Sequence, residues 1–298
     1  MNNYGWIILM TLLAGYALDA VATILNMRHS PEVPPEKFKD CLDQDRFRRT
    51  RNYLVAKGQS GLIQGGWDLL LLLTFWGSGG FDLLDQWLRA LIDNEILRGV
   101  VYIGVLVLAA RVLNLPFAIH DTFVVENRFG FNRTTPATFI MDRIKALVLS
   151  VLLGGTILWC VLWFFQKTGP LAWLYCWASV TLFSIAVQYV APRWIIPLFY
   201  QFKPLPDGEL RHALLAYAEK VQFPVQEVYE IDGSRRSTKA NAFFTGFGKN
   251  RRIALFDTLI RSHSPAEVIA VLAHEVGHFK HRHVLKGVIL GTIHSGLL

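Results

Sequence analysis

Three residues in this 298-residue chain combine type and spacing in a way that implies chemistry: His274, Glu275 and His278, in the run His-Glu-Val-Gly-His. On a helix, residues four apart sit about 6 Å apart along the axis and on one face. Two imidazoles so placed can both reach one zinc ion at about 2.0–2.1 Å. The sequence therefore predicts a metal site on His274 and His278, with one ion per complete subunit. Glu275 adjoins the first ligand, and its carboxylate is the candidate general base that takes a proton from an activated water. His281 shares the face of His278 but would lie about 10 Å along the axis from His274, too far to bind the same ion. That leaves His281 and His283 with interfacial or outer roles around the ligands. Two histidines on an ordinary amphipathic surface helix are the plain alternative.

The motif has meaning only on a helix, and the flanking residues supply one. Ser264-Pro265-Ala266-Glu267 offers a serine N-cap, a proline in the first turn and a glutamate that completes a capping box. Upstream, 208–221 carries apolar residues at helical spacing, and Val225–Ile231 is a strand candidate. Ala240–Thr245 and Arg252–Phe256 flank the turn-rich Gly246–Asn250, the pattern of a hairpin. Residues 192–206 hold four prolines among aromatics and read as irregular chain.

Ahead of this polar segment the chain is built for lipid. It is 52% hydrophobic with 18% charged residues, against about a quarter charged in a soluble domain. A bilayer span takes about 20 mostly apolar residues, and five stretches before residue 192 qualify: 4–26, 61–77, 99–119, 146–166 and 171–191. A sixth apolar run starts near Val284. Asp19, Asp68 and Arg111 interrupt the first three runs, and each should face protein, a water-filled cavity or an interface. Lys and Arg number eight, about two, four and one in the successive connections, then 13 over 192–283. That alternation follows the positive-inside rule with the N-terminus external or lumenal and the polar segment cytoplasmic. The net charge of +7 is thus a topology signal, and nucleic acid is excluded as a partner. The three cysteines, Cys41, Cys160 and Cys176, read as unpaired thiols.

Taken together, these segments resemble the type I CAAX prenyl endopeptidase family of integral-membrane zinc metalloproteases. The stretch from His120 through Glu126 and Phe131 to Thr135 is similar to that family's loop after the third span. Pro192–Leu205 resembles its proline-rich segment, Asn241–Gly246 its edge strand, Ile253–Leu259 the strand after it, and Ala273–His283 its catalytic helix. The resemblance implies an all-α polytopic membrane protein, an α-helical barrel around an intramembrane chamber, carrying a small α+β zincin-like protease domain. It implies a lipid bilayer as surroundings and cleavage of peptide or protein substrates near their C-terminus, in eukaryotes prenylated CAAX proteins. A peptide added as a strand along 240–245 would be held by backbone hydrogen bonds, which makes Asn241, Ala242 and Phe243 the substrate-binding candidates. Phe243 and Phe244 point to opposite faces, so only one of them can touch that peptide. The family's third zinc ligand is a glutamate on a later helix. No Asp or Glu follows Glu275 here, so the chain reads as truncated within its sixth span and inactive alone.

The expected organisation is five transmembrane helices with cytoplasmic loops over 1–191, a cytoplasmic-facing metalloprotease domain over 192–283, and the start of a sixth helix over 284–298. Two other readings stand beside it. One is a membrane quality-control metalloprotease; the other is a transporter or lipid-binding scaffold whose His-Glu-x-x-His holds metal only structurally.

Overall fold

A computed structural model describes residues 2–38, 43–225, 227–245 and 251–297. Cys41 and the Gly246–Asn250 turn lie outside these described residues. The chain divides into two compact units, Met1–Asn132 and Arg133–Leu298.

The first unit is helical: α1 (Asn3–His29), α2 (Gln44–Gly77), α3 (Gly80–Leu91), α4 (Glu95–Leu113), α5 (Leu115–His120) and the short α6 (Glu126–Arg128). Short polar side chains start three of these helices. Asn2, Asp43 and Asn94 each accept a hydrogen bond from the backbone N–H three residues on, which satisfies a donor the helix itself leaves unpaired. The predicted span 61–77 is the second half of α2, whose first half is charged. The predicted span 99–119 is broken at Asn114. That residue caps α4, and Pro116 begins a new helix at its first turn. Asp68 accepts from the Asn114 Nδ2 at 2.7 Å, so this carboxylate within an apolar run has a protein partner.

Polar contacts fasten the loop after α5 to the charged half of α2. Lys57 and Ser60 donate to Asp121 at 2.6 and 2.9 Å, and the Tyr53 hydroxyl donates to Glu126. The Tyr53 ring also meets Phe129 and Phe131 edge-on. Burial works against ionisation of Asp121, but Lys57 and Ser60 outweigh it and hold the carboxyl below its usual range.

The second unit opens with α7 (Pro136–Leu149), a π-helical turn, and α8 (Gly155–Lys167), which together make a 32-residue apolar helix. Next come α9 (Ala172–Val190), α10 (Ile196–Phe199), β1 (Phe202–Pro204), α11 (Glu209–Lys220), β2 (Glu227–Ile231), β3 (Ala242–Thr245), β4 (Arg252–Phe256), α12 (Asp257–Ser262), α13 (Pro265–Lys280) and α14 (His283–Leu297). Among the described residues four helices are long and apolar enough to cross a membrane, over 3–29, 95–113, 136–167 and 169–199. Their large apolar side chains, such as Ile7, Val107, Leu152 and Leu182, are exposed. In water that would be an aggregation surface; in lipid it is the solvated one. Gln64 and Asp68 dilute the apolar half of α2, which falls short of that standard. Cys160 and Cys176 are both free thiols.

The small sheet runs in the order β1-β2-β4-β3, with β2 and β4 parallel and the outer pairs antiparallel. The strand within the proline-rich segment is a departure from the irregular chain expected there. Only three residues long, β1 shows no alternation to read, and its Pro204 is tolerated because the strand is an edge. Leu214 and Ala218 of α11, Val228, Ile253 and Leu255 of the sheet, and Val268, Leu272 and Val276 of α13 form one buried core. The four-residue spacing along α13 assigns one face of that helix to the core and leaves the other free.

Candidate metal centre

The free face of α13 carries the motif. Its start is as the sequence predicted: Ser264 accepts from the Glu267 backbone N–H, and the Ser264 N–H donates to the Glu267 carboxylate at 2.7 Å. That backbone donor, then the Ser264 hydroxyl, holds the Glu267 carboxyl below its usual range. Leu272 and Val276 are buried on either side of His274, whereas His274 and His278 are exposed and Glu275 is half-buried.

The two imidazoles converge. Their Nε2 atoms stand 3.1 Å apart, with the rings near perpendicular and centroids 4.8 Å apart. Two nitrogens that each lie about 2.0–2.1 Å from a tetrahedral zinc are themselves about 3.3–3.4 Å apart. The pair therefore fits two corners of one zinc coordination sphere. Among the described residues no set of three His, Cys, Asp or Glu side chains is placed to share an ion.

Beyond the pair, the chain turns back on itself. The helix stops at Lys280, Arg282 adopts a left-handed backbone (φ 53°), and α14 restarts at His283. The Nδ1 atoms of His278 and His283 come to 2.7 Å, a hydrogen bond with a single proton between them. Desolvation first, then the neighbouring His278, His281 and Lys286, lowers the His283 imidazole below its usual range.

The substrate candidates lie on β3, which pairs with β4 on one side only and is an edge of the sheet. Ala242 is buried in the same core as Leu272 and Val276, so the edge strand and the motif helix are packed together. The two phenylalanines part as their alternation requires. Phe244 packs on Phe223 with ring centroids 4.5 Å apart and planes tilted by 45°, and Phe243 meets Phe256 at 6.2 Å on the opposite face. The Phe256 N–H donates to the Asn241 carbonyl at 3.0 Å. Alternation along an antiparallel ladder then turns the Ala242 and Phe244 N–H groups away from β4, to the open edge. The Ala242 N–H is held there by the Asn241 Oδ1 at 2.9 Å.

Two features of this unit were not visible in the sequence. The Arg251 guanidinium lies 3.9 Å over the Phe279 ring, with Phe223 edge-on to Phe279, and so clamps the end of α13 next to His278. In the loop before β3, Ser234 donates its N–H to the buried Asp257 at 2.8 Å, and Gly233 lies so close to the Phe256 ring that a Cβ would sit 2.4 Å from it. Residues that meet only after folding leave no periodic signal, which is why neither was read.

Comparisons with known proteins agree with this architecture. Residues 23–201 match a family model described as CAAX prenyl protease N-terminal, five membrane helices, and 204–297 match Peptidase family M48. The chain is 36% identical to an Arabidopsis thaliana CAAX prenyl protease 1 homolog over 84% of this chain and 61% of that protein. It is 33% identical to Saccharomyces cerevisiae CAAX prenyl protease 1, over 89% of this chain and 61% of that one. The crystal structure of S. mikatae Ste24p superposes with a TM-score of 0.90 at 32% identity, over all of this chain and 72% of that one. The chain thus spans about three-fifths of the length of the curated relatives it matches. With five membrane helices described for the matched region and four apolar helices here, it is an integral, multi-pass membrane protein of mostly helical fold with a small α+β segment.

Proposed function

Because this chain belongs to the M48 peptidases that carry a CAAX prenyl protease N-terminal region, we propose that it acts as a membrane-embedded zinc metalloendopeptidase on peptide bonds near the C-terminus of prenylated, CAAX-type substrates. The observation that carries this reading is the convergence of the His274 and His278 Nε2 atoms to 3.1 Å on the coreless face of a capped helix. In this reading 1–191 is the spanning region, 192–283 the protease domain on the cytoplasmic side, and 284–298 the start of a further span, with the N-terminus external or lumenal.

When bound, zinc supplies Lewis acidity toward water and the scissile carbonyl. His274 and His278 hold it, each through Nε2. Glu275, next to His274, takes the proton from the attacking water and delivers it to the leaving amine, one group serving in turn as base and acid. The open edge of β3 fixes the peptide backbone through the outward groups of Ala242 and Phe244, so that side chains of the substrate, not its backbone, carry selectivity.

The test is a pair of variants, made in a form of the protein that also carries the third ligand, assayed on a quenched prenylated peptide with parallel metal analysis. Glu275→Gln should keep zinc and lose activity by about 10²–10⁴-fold, the usual worth of a general base; His274→Ala should lose both. Near-parent turnover by the glutamine variant would discard the mechanism.

A further inference from the structure

Had α13 continued as a regular helix, His283 would lie about 7.5 Å beyond His278 along the axis and about 140° around it, out of reach. The left-handed Arg282, a conformation uncommon outside glycine, ends that helix and starts the next so that the His283 ring folds back on His278. Their Nδ1 atoms are 2.7 Å apart with rings at 69°. The His281 ring stacks on His283 at 5.6 Å and 20°, which fixes the plane of the second imidazole.

A neutral imidazole that offers Nε2 to a metal must carry its proton on Nδ1, and that proton needs an acceptor. His283 Nδ1 is in position to be one. It faces the nitrogen of His278 that points away from His274, so it cannot share the ion the Nε2 pair would hold. We propose that His283 is a positioning residue: by accepting from His278 Nδ1–H it fixes the tautomer and ring orientation that make His278 a metal ligand. The proposal rests on the reading of His278 as a ligand, and it adds a residue that touches neither metal nor substrate. Groups hydrogen-bonded to ligands in this way commonly govern affinity.

The test is zinc affinity, measured on a form of the protein that also carries the third ligand, purified in detergent, by competition with a chromophoric chelator, with cobalt spectra as a second readout. His283→Ala should weaken zinc by about 10–100-fold, the usual loss when such a partner is removed, while His283→Asn, whose Oδ1 replaces Nδ1 as acceptor, should recover to within about threefold of the parent. Helical content by circular dichroism should be equal in all forms, and His283→Leu replaces the alanine variant if that one does not fold. Affinity in His283→Ala within twofold of the parent would overturn the proposal. So would a loss as deep as that of His274→Ala, unrescued by asparagine and with an altered cobalt spectrum, which would make His283 a ligand. If the parent takes up no zinc, or His274→Ala binds as tightly as the parent, the metal-site reading falls and this proposal with it.

Discussion

Arg236 grips Asp142 with two parallel hydrogen bonds, Nε to one carboxylate oxygen at 2.8 Å and Nη2 to the other at 2.9 Å, across 94 positions of sequence. The same residue's carbonyl accepts from the Arg133 N–H at 3.0 Å and the Thr134 hydroxyl at 3.1 Å, and its guanidinium lies 4.6 Å over the Tyr200 ring. One loop residue thus ties the approach to β3 to the start of α7. Asp142, as hydrogen-bond acceptor and counter-charge, keeps the guanidinium protonated more firmly than usual.

Breaking that fork should loosen the strand it positions. The pair is mostly buried, with side chains 13% and 25% exposed. Asp142→Ala should therefore destabilise the protein by about 2–4 kcal/mol, somewhat below the figure for a fully buried pair that loses one partner. Arg236→Lys should recover only part, because an ammonium cannot reproduce the fork. Thermal unfolding in detergent reads this out; wild-type stability in both variants would show the pair to be incidental.

At the sheet edge, Ala242→Pro should remove an outward N–H and leave the ladder to β4 intact, since the Ala242 donor points away from it. Peptide cleavage should fall about tenfold, the worth of one hydrogen bond of about 1–1.5 kcal/mol, with zinc content unchanged. Equal cleavage by a folded proline variant would place the substrate elsewhere.

The cap of the motif helix should be measurable by itself and by pH. Ser264→Ala should cost about 1 kcal/mol, as removal of a serine cap does. Glu267 has a lowered folded pKa because the Ser264 backbone N–H and hydroxyl favour its charged form. Its stabilisation is therefore present above the unfolded glutamate value of about 4.3 and is lost as pH falls through the folded one. The difference in unfolding temperature between parent and Glu267→Gln should be largest near neutrality and close up in acid. A gap that persists or widens in acid would refute the cap as its origin.

Orientation can be read chemically. In a cysteine-free background, single cysteines at the exposed positions Lys167, Arg48 and Asp207 should react differently with an impermeant maleimide on intact cells. Position 167 should label, and 48 and 207 should label only after permeabilisation. Labelling of 207 from outside would move the protease segment to the other compartment.

What could be read in advance follows from how each feature is encoded. The His-Glu-x-x-His helix, its Ser264–Glu267 cap, the helix 209–220 and the strands 227–231 and 252–256 are written in local spacing, and the structure has them within a few residues of the expected ends. The apolar runs 4–26, 146–166 and 171–191 were legible for the same reason and fall within long apolar helices, and the resemblance to the CAAX protease family is borne out by the matched regions. The break at Asn114 and the strand over 202–204 were missed because each depends on a neighbour that supplies a cap or a partner strand.

By itself, then, the sequence determined a multi-pass membrane chain with a capped helix presenting two histidines and a glutamate on one face, because periodicity and side-chain chemistry act over a few residues. Tertiary structure decided that β3 is an edge, that Arg236 reaches Asp142, and that His283 returns to His278. Strand order is settled by which surfaces bury one another, and the return of His283 by one left-handed residue at Arg282. Strand order and the Arg236–Asp142 pair are not properties of any local run of residues, since they arise only when distant parts of the chain compete for the same contacts; the return of His283 spans five residues, but it turns on a backbone conformation that residue spacing does not encode.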